Sequence, residues 1–188
     1  YQDRDGYIWI PTFYGLFRYD GYEVRTYKSN LYTPGLLVNN NVLCVEEDYS
    51  HRLWIGTHEG LCMLDKRTGK MKKLQLDGVS KQRLNEIHVT KENRVYLGYI
   101  RGMAYYDEMQ DTLALMTRKN CRGDVPESVN IQTLFEDVNG DLLIGTWKDG
   151  LYRYCIKENT FLHYPPLDEE NSVLALFQDS RGVMWIGT

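Results

Sequence analysis

Leu53-Trp54-Ile55-Gly56-Thr57 decides the reading of this chain, because it recurs. Ile8-Trp9-Ile10-Pro11-Thr12, Leu142-Leu143-Ile144-Gly145-Thr146 and Met184-Trp185-Ile186-Gly187-Thr188 repeat it, and Val95-Tyr96-Leu97-Gly98-Tyr99 is a degenerate copy. The second residues stand at 9, 54, 96, 143 and 185, in steps of 45, 42, 47 and 42 residues. Six residues upstream lies an acid: Asp3, Asp48, Asp137 and Asp179, with Thr90 the exception. Downstream come Gly15-Leu16, Gly60-Leu61, Gly102-Met103 and Gly150-Leu151; the fourth copy holds one extra residue before its Gly.

One unit reads as four strands. An apolar strand such as 42–47 leads into a tight Asp/Gly turn such as Asp137-Val138-Asn139-Gly140, whose residues tolerate or cap positive-φ positions. The pentapeptide is the second strand, and its near-continuous apolar character suits burial on both faces. A short loop leads to a third strand such as 150–154, and a turn such as 65–69 leads to a fourth, such as 23–27, 72–76 or 160–164. Helix-period stretches are lacking, and turn residues punctuate the chain as in an all-β protein. Four strands in 42 to 47 residues make a propeller blade. Such a blade needs neighbours to cover both its faces.

The fold class is therefore all-β, a β-propeller of four-stranded antiparallel blades, present in part. The expected division is an incomplete blade over 1–38, blades over 39–80, 81–127 and 128–169, and the first two strands of another over 170–188. The last inner strand, 173–178, has the form to complete the first blade and close a four-bladed ring. The second Trp-Ile-Gly-Thr strand behind it would then be redundant, so a portion of a larger propeller is the expectation.

The chain has 188 residues, is 43% hydrophobic and 26% charged, and carries a formal charge of −4. That composition is globular, and an acidic balance argues against nucleic acid as a partner. Cys44, Cys62, Cys121 and Cys155 are spaced 18, 59 and 34 residues apart, which is not metal-ligand spacing. Three of them fall in apolar strand-like runs and read as small packing residues. Asp137-Val138-Asn139-Gly140-Asp141 fails as a calcium loop, because Lys148 stands where the twelfth-position Glu is needed. No metal or cofactor is called for. Gly-x-Ser-x-Gly and His-Glu-x-x-His are absent.

Asn-x-Val, an acid before a Gly turn, Leu-Trp-Ile-Gly-Thr and then Gly-Leu-x-x-Tyr resembles the two-component regulator propeller repeat. The copies at 40–64, 137–154 and 171–188 carry it best. The copy at 82–106 departs from it, with Gln82 for Asn, Thr90 for Asp, Tyr96 for Trp and Tyr99 for Thr. Val129 and Pro11 are further departures. The resemblance implies a periplasmic sensor region of a bacterial hybrid two-component system, with propellers usually seven-bladed. These are followed by an immunoglobulin-like domain, a membrane helix and a histidine kinase. It also implies oligosaccharide ligands and control of polysaccharide utilisation. The remaining blades and the downstream domains are then partners within one protein.

The repeated Trp, Ile, Gly and Thr are scaffold, with Trp9, Trp54 and Trp185 expected between neighbouring sheets. Thr is expected to cap a turn and Asp to accept turn amides. Binding residues are expected where the copies diverge at a constant place, the loop after the Thr position. There stand Phe13 and Tyr14, His58 and Glu59, Arg101, and Trp147, Lys148 and Asp149. Asn39 precedes an inner strand at the same rim, as does Asn41, whereas Asn40 recurs as Asn171 and looks structural. Aromatic rings stack on sugar faces while amides and charges meet hydroxyls. Trp147, outside the scaffold pattern, is the sharpest candidate, and Arg101 suits an anionic group. Two other readings stay open. One is a propeller enzyme of lyase or hydrolase type, for which His58-Glu59 is the only local acid–base pair. The other is a protein-interaction or homodimerisation scaffold.

Overall fold

Each copy of the pentapeptide forms the second strand of an antiparallel sheet in a computed structural model of the chain, which describes residues 1–30, 32, 36–76, 82–166 and 172–188. Blade 1 has β1 (Ile8–Thr12), β2 (Gly15–Tyr19) and β3 (Val24–Tyr27), with Gln2 bridged to Ile8 where an inner strand would run. Blade 2 has β4 (Val42–Glu47), β5 (Arg52–Thr57), β6 (Gly60–Asp65) and β7 (Met71–Leu74). Blade 3 has β8 (Leu84–Val89), β9 (Val95–Tyr99), β10 (Gly102–Asp107) and β11 (Thr112–Leu115). A two-residue strand, β12 (Arg122–Gly123), then precedes blade 4, which has β13 (Ile131–Glu136), β14 (Leu142–Thr146), β15 (Leu151–Cys155) and β16 (Thr160–Tyr164). A final hairpin joins β17 (Ala175–Gln178) to β18 (Met184–Gly187). It packs against β13 and β14, so it continues the row of blades and does not complete blade 1.

The acid six residues ahead of the Trp does more than hold its turn. Asp48 Oδ1 accepts from the backbone N–H of Ser50 (2.8 Å) and Arg52 (3.0 Å), while Oδ2 accepts from Trp54 Nε1 (2.9 Å). Asp3 does the same for Asp5, Tyr7 and Trp9, and Asp179 for Arg181, Val183 and Trp185. The carboxylate thus joins the turn to the indole and lets the polar edge of a large apolar ring be buried. Trp9 and Trp54 are fully buried. Trp185, expected between sheets, is half exposed, because its face of the last hairpin has no neighbouring sheet among the described residues. Where Asp is replaced by Thr90, the Trp is replaced by Tyr96, and Thr90 Oγ1 serves only one turn amide, that of Arg94.

The seams between blades explain the glycine of the pentapeptide. A Cβ on Gly56 would lie 2.4 Å from Cys44 Sγ and 2.9 Å from Leu84 Cδ2 of the next blade. On Gly98 it would lie 2.6 Å from Ile131, and on Gly145 2.7 Å from Val173. Only a bare backbone lets the next inner strand approach this closely. Polar latches add to the apolar seam. The Arg4 N–H donates to Glu47 Oε2 (2.8 Å) and the Lys91 N–H to Glu136 Oε2 (2.9 Å). Buried Lys66 meets Asp3, Asp5 and Glu47 at 2.7 to 2.8 Å. The connectors reach ahead as well: Leu76 bridges to Leu113, and β12 pairs in parallel with β16, the outer strand of the following blade.

Two predictions follow from these contacts. Asp48→Ala strands buried donors on Trp54 and Arg52 and should cost about 3 kcal/mol in urea denaturation; Thr90→Ala, which frees one amide, should cost about 1 kcal/mol. The second concerns pH. Burial pushes the Glu46 carboxyl up to about 8, with the Glu86 carboxylate adding to the shift, and pushes Glu86 to about 7. Their folded values lie above the ordinary 4.5, so the stability linked to their protonation is complete below that pH and is lost as pH rises through 7 to 8. Glu46→Gln should therefore raise the melting temperature at pH 8.5 relative to the parent and leave it nearly unchanged at pH 4.

Candidate functional site

A blade has two ends, and the backbone shows which connections share one. The N–H of His58 bonds to Asn41 O (2.9 Å), that of Ile100 to Arg83 O (3.2 Å) and that of Trp147 to Asn130 O (2.9 Å). The loop after each second strand is therefore tied to the residue just before its own inner strand. Together these segments form one rim, and the Asp turns lie at the other end of the strands.

All the residues expected to bind ligand stand on that rim, distributed over the four blades. Phe13 and Tyr14 of the β1–β2 turn are three-quarters exposed, and His58 and Arg101 are exposed in the equivalent turns of blades 2 and 3. Glu59 is half-buried beside Gln82 and Tyr99, in a small pocket between blades 2 and 3. Asn39 accepts from the Asn41 N–H (2.8 Å) and shapes the approach to β4. Asn40 holds both the N–H and the carbonyl of Ser29, the structural role expected of it; its repeat, Asn171, lies outside the described residues.

The extra residue in the fourth copy has a clear backbone consequence. Lys148 adopts φ 63° and Gly150 φ 72°, so the chain turns through two left-handed positions and pushes Trp147 outward, 49% exposed. The Lys148 N–H donates to Ser172 Oγ (3.1 Å), which anchors the loop to the connector of the last hairpin. Asp149 accepts from the Tyr152 hydroxyl (2.6 Å), and its carbonyl lies 2.8 Å from His163 Nε2, with Tyr152 and His163 stacked at 4.2 Å. Burial, with that bond to Asp149, raises the Tyr152 phenol above its ordinary range. Asp149 thus braces the loop, while the Trp147 ring and the Lys148 side chain face outward.

The structure adds residues that the repeat does not announce. β4, β8 and β13 each carry a bulge at the rim end, so Leu43, Asn85 and Gln132 have no partner in the ladder. A bulge re-aims the side chain it carries. Asn85 Nδ2 donates to Ile131 O (2.7 Å) and Asn130 Oδ1 (3.0 Å) across the seam, and Gln132 Nε2 donates to the same Asn130 oxygen (2.9 Å). Asn41 Oδ1, Gln82 Oε1 and Asn85 Oδ1 are buried with no hydrogen-bond partner among the described residues. The signal available in sequence was the equivalence of Asn41 and Asn130, each one residue before an inner strand; the bulge itself has no local signature. The rim therefore offers an exposed indole and separate cationic side chains above a layer of buried amides. That combination suits a polyhydroxylated ligand held at several points.

Residues 36–59 and 168–188 match the two component regulator propeller family model. No curated protein matches the chain. Among solved structures, the extracellular domain assigned to a hybrid two component system of B. thetaiotaomicron is similar with TM-score 0.82 and 21% identity, covering 100% of this chain and 27% of that one. A second such domain from B. thetaiotaomicron gives TM-score 0.79 and 22% identity, over 97% of this chain and 24% of that one. Virginiamycin B lyase from Staphylococcus aureus gives TM-score 0.76 at 8% identity, over 99% and 61%. These likenesses establish the propeller fold, and the chain spans about a quarter of the length of the two sensor-system domains. The chain is thus a stretch of β-propeller, two segments of which, residues 36–59 and 168–188, match the two component regulator propeller model.

Proposed function

We propose that this chain is part of a periplasmic, ligand-sensing propeller of a hybrid two-component system, and that its rim binds oligosaccharide and contributes to the control of polysaccharide utilisation. The observation that carries the reading is the set of outward-facing side chains on one rim: the exposed indole of Trp147 with Lys148 beside it, and His58 and Arg101 exposed in the equivalent turns. The indole covers a C–H face of the sugar ring, while the exposed charged side chains meet its hydroxyls. The family model and the B. thetaiotaomicron extracellular domains support the sensor context. Further blades, a transmembrane segment and a histidine kinase are the partners this reading requires, and this stretch carries no chemistry of its own.

Calorimetry of the intact extracytoplasmic region against a panel of plant and host oligosaccharides tests it. Trp147→Ala should weaken the ligand found at least about tenfold, or about 1.4 kcal/mol, and Arg101→Ala should do likewise. The melting temperature of Trp147→Ala should barely move, because the ring is half exposed. Unchanged binding in both variants would remove the rim from the site. Mass spectrometry of the recovered ligand separates sensing from turnover: a lyase or hydrolase would alter its mass.

A further inference from the structure

The blade in which both the Asp and the Trp are replaced, by Thr90 and Tyr96, opens a second site at the end of the strands away from the rim. The comparison is between two equivalent seams. Between blades 2 and 3, Arg52 closes the gap: its Nε meets Asp48 (2.6 Å), and its Nη atoms form a two-point pair with Glu108 (2.8 Å each). Its guanidinium lies 5.3 Å from the rings of both Trp54 and Tyr106, which themselves pack at 4.8 Å. Between blades 3 and 4 the arginine and the second tyrosine are kept, as Arg94 and Tyr154, and the other three positions have changed. Arg94 stands where Arg52 stood, two residues before the ring. Its two acidic partners are gone, with Thr90 in place of Asp48 and Ile156 in place of Glu108. Tyr96 replaces the Trp and meets Tyr154 edge-on at 6.0 Å. The acid that remains near Arg94 is exposed Glu92, at 3.7 Å.

The result is a cleft of about 660 Å³, within the size range of small-molecule sites. Buried Tyr96, Tyr154 and Met116 form its floor, Tyr105 and Ile156 line its walls, and Arg94 stands at its edge. Other polar side chains around it are committed. Asn120 Oδ1 accepts from the Thr117 N–H, Asn159 Oδ1 from the Tyr154 hydroxyl, and Asp107 Oδ1 from the N–H groups of Met109 and Gln110. The Tyr105 hydroxyl makes no hydrogen bond among the described residues. The cleft thus combines tyrosine faces, one uncommitted phenol and one exposed guanidinium whose remaining carboxylate partner is the exposed Glu92.

We infer that this cleft binds a saccharide bearing a carboxylate, a uronic-acid residue, with its carboxylate on Arg94 and its ring against the tyrosines. The guanidinium matches a carboxylate through a two-point pair, as Arg52 does with Glu108 one seam away. A single cation with Asp107 and Glu108 close by suits a monoanion and disfavours a phosphate dianion. The Tyr105 hydroxyl suits a hydroxylated ring better than a bare arene. This inference does not rest on the rim site, since it uses other residues at the other end of the blades.

The test titrates the intact extracytoplasmic region with digalacturonate, with uncharged galactobiose and with benzoate. Digalacturonate should bind, and Arg94→Gln should weaken it about tenfold or more, bringing it to the level of galactobiose. The double variant Thr90→Asp/Tyr96→Trp restores the indole pair and fills the cleft. It should abolish binding while keeping or raising the melting temperature, so the loss is not a failure to fold. Four results would overturn the inference: no binding of digalacturonate at millimolar concentration, unchanged affinity in both variants, benzoate binding more tightly than digalacturonate, or loss of digalacturonate binding in Trp147→Ala, which would assign that ligand to the rim.

Discussion

One hydrogen bond organises each regular blade: an aspartate oxygen accepting from the indole of a Trp six residues on, 2.7 Å at Trp9 and 2.9 Å at Trp54. The same carboxylate gathers the amides of the turn between the first two strands. Turn shape, strand spacing and the placement of the largest core side chain are thereby linked through one group. A buried carboxylate is costly unless fully engaged, and Asp3 and Asp48 are engaged by four donors each. The indole in turn supplies the flat surface against which the next blade packs. Blade 3 replaces both partners, with Thr90 and Tyr96, whereas blade 4 keeps Asp137 on its turn amides and has Leu143 in place of the indole, with Arg153 3.5 Å from the other carboxylate oxygen.

The seams inherit the consequences. Glycine at 56, 98 and 145 lets the next inner strand come close, while the side chains two residues earlier, Trp54, Tyr96 and Leu143, are buried. Glu47 and Glu136 fasten one blade's inner strand to the previous blade's turn. Blade 3 has Val89 at that place, and the Tyr49 N–H turns instead to Asn93 Oδ1 at 2.6 Å. Blade 3 is therefore irregular in its turn, its ring and its latch. The rim is insulated from these variations, because its shape depends on the bulged inner strands and on backbone bonds such as Trp147 N–H to Asn130 O.

Much of the scaffold was legible from residues. The Thr hydroxyls cap their turns as expected, with Thr12, Thr57 and Thr146 donating to the carbonyls of Gly15, Gly60 and Gly150 at 2.7 to 2.9 Å. The Asp residues accept turn amides. The bond from Asp to the indole was not foreseen, although its six-residue spacing was in view; spacing gives proximity only once the turn geometry is known. β12 was missed because a two-residue strand has no periodicity to detect. Trp185 was expected to be buried, yet burial depends on a neighbouring sheet and not on the strand that carries it. The amide cluster of Asn85, Asn130 and Gln132 escaped notice because a bulge is a property of two paired strands.

The sequence by itself determined the unit: four strands, their order, their turns and the near-regular period of Leu53-Trp54-Ile55-Gly56-Thr57. These depend on interactions within one blade, between residues close in sequence, so local pattern encodes them. Only the tertiary structure decided what the departures from the pattern mean. Tyr96, Thr90 and Ile156 look like three unrelated substitutions along the chain, but they meet at one seam and leave Arg94 beside an open cleft. Their contacts cross from one blade to the next, over separations of more than 40 residues, and only packing brings such residues face to face.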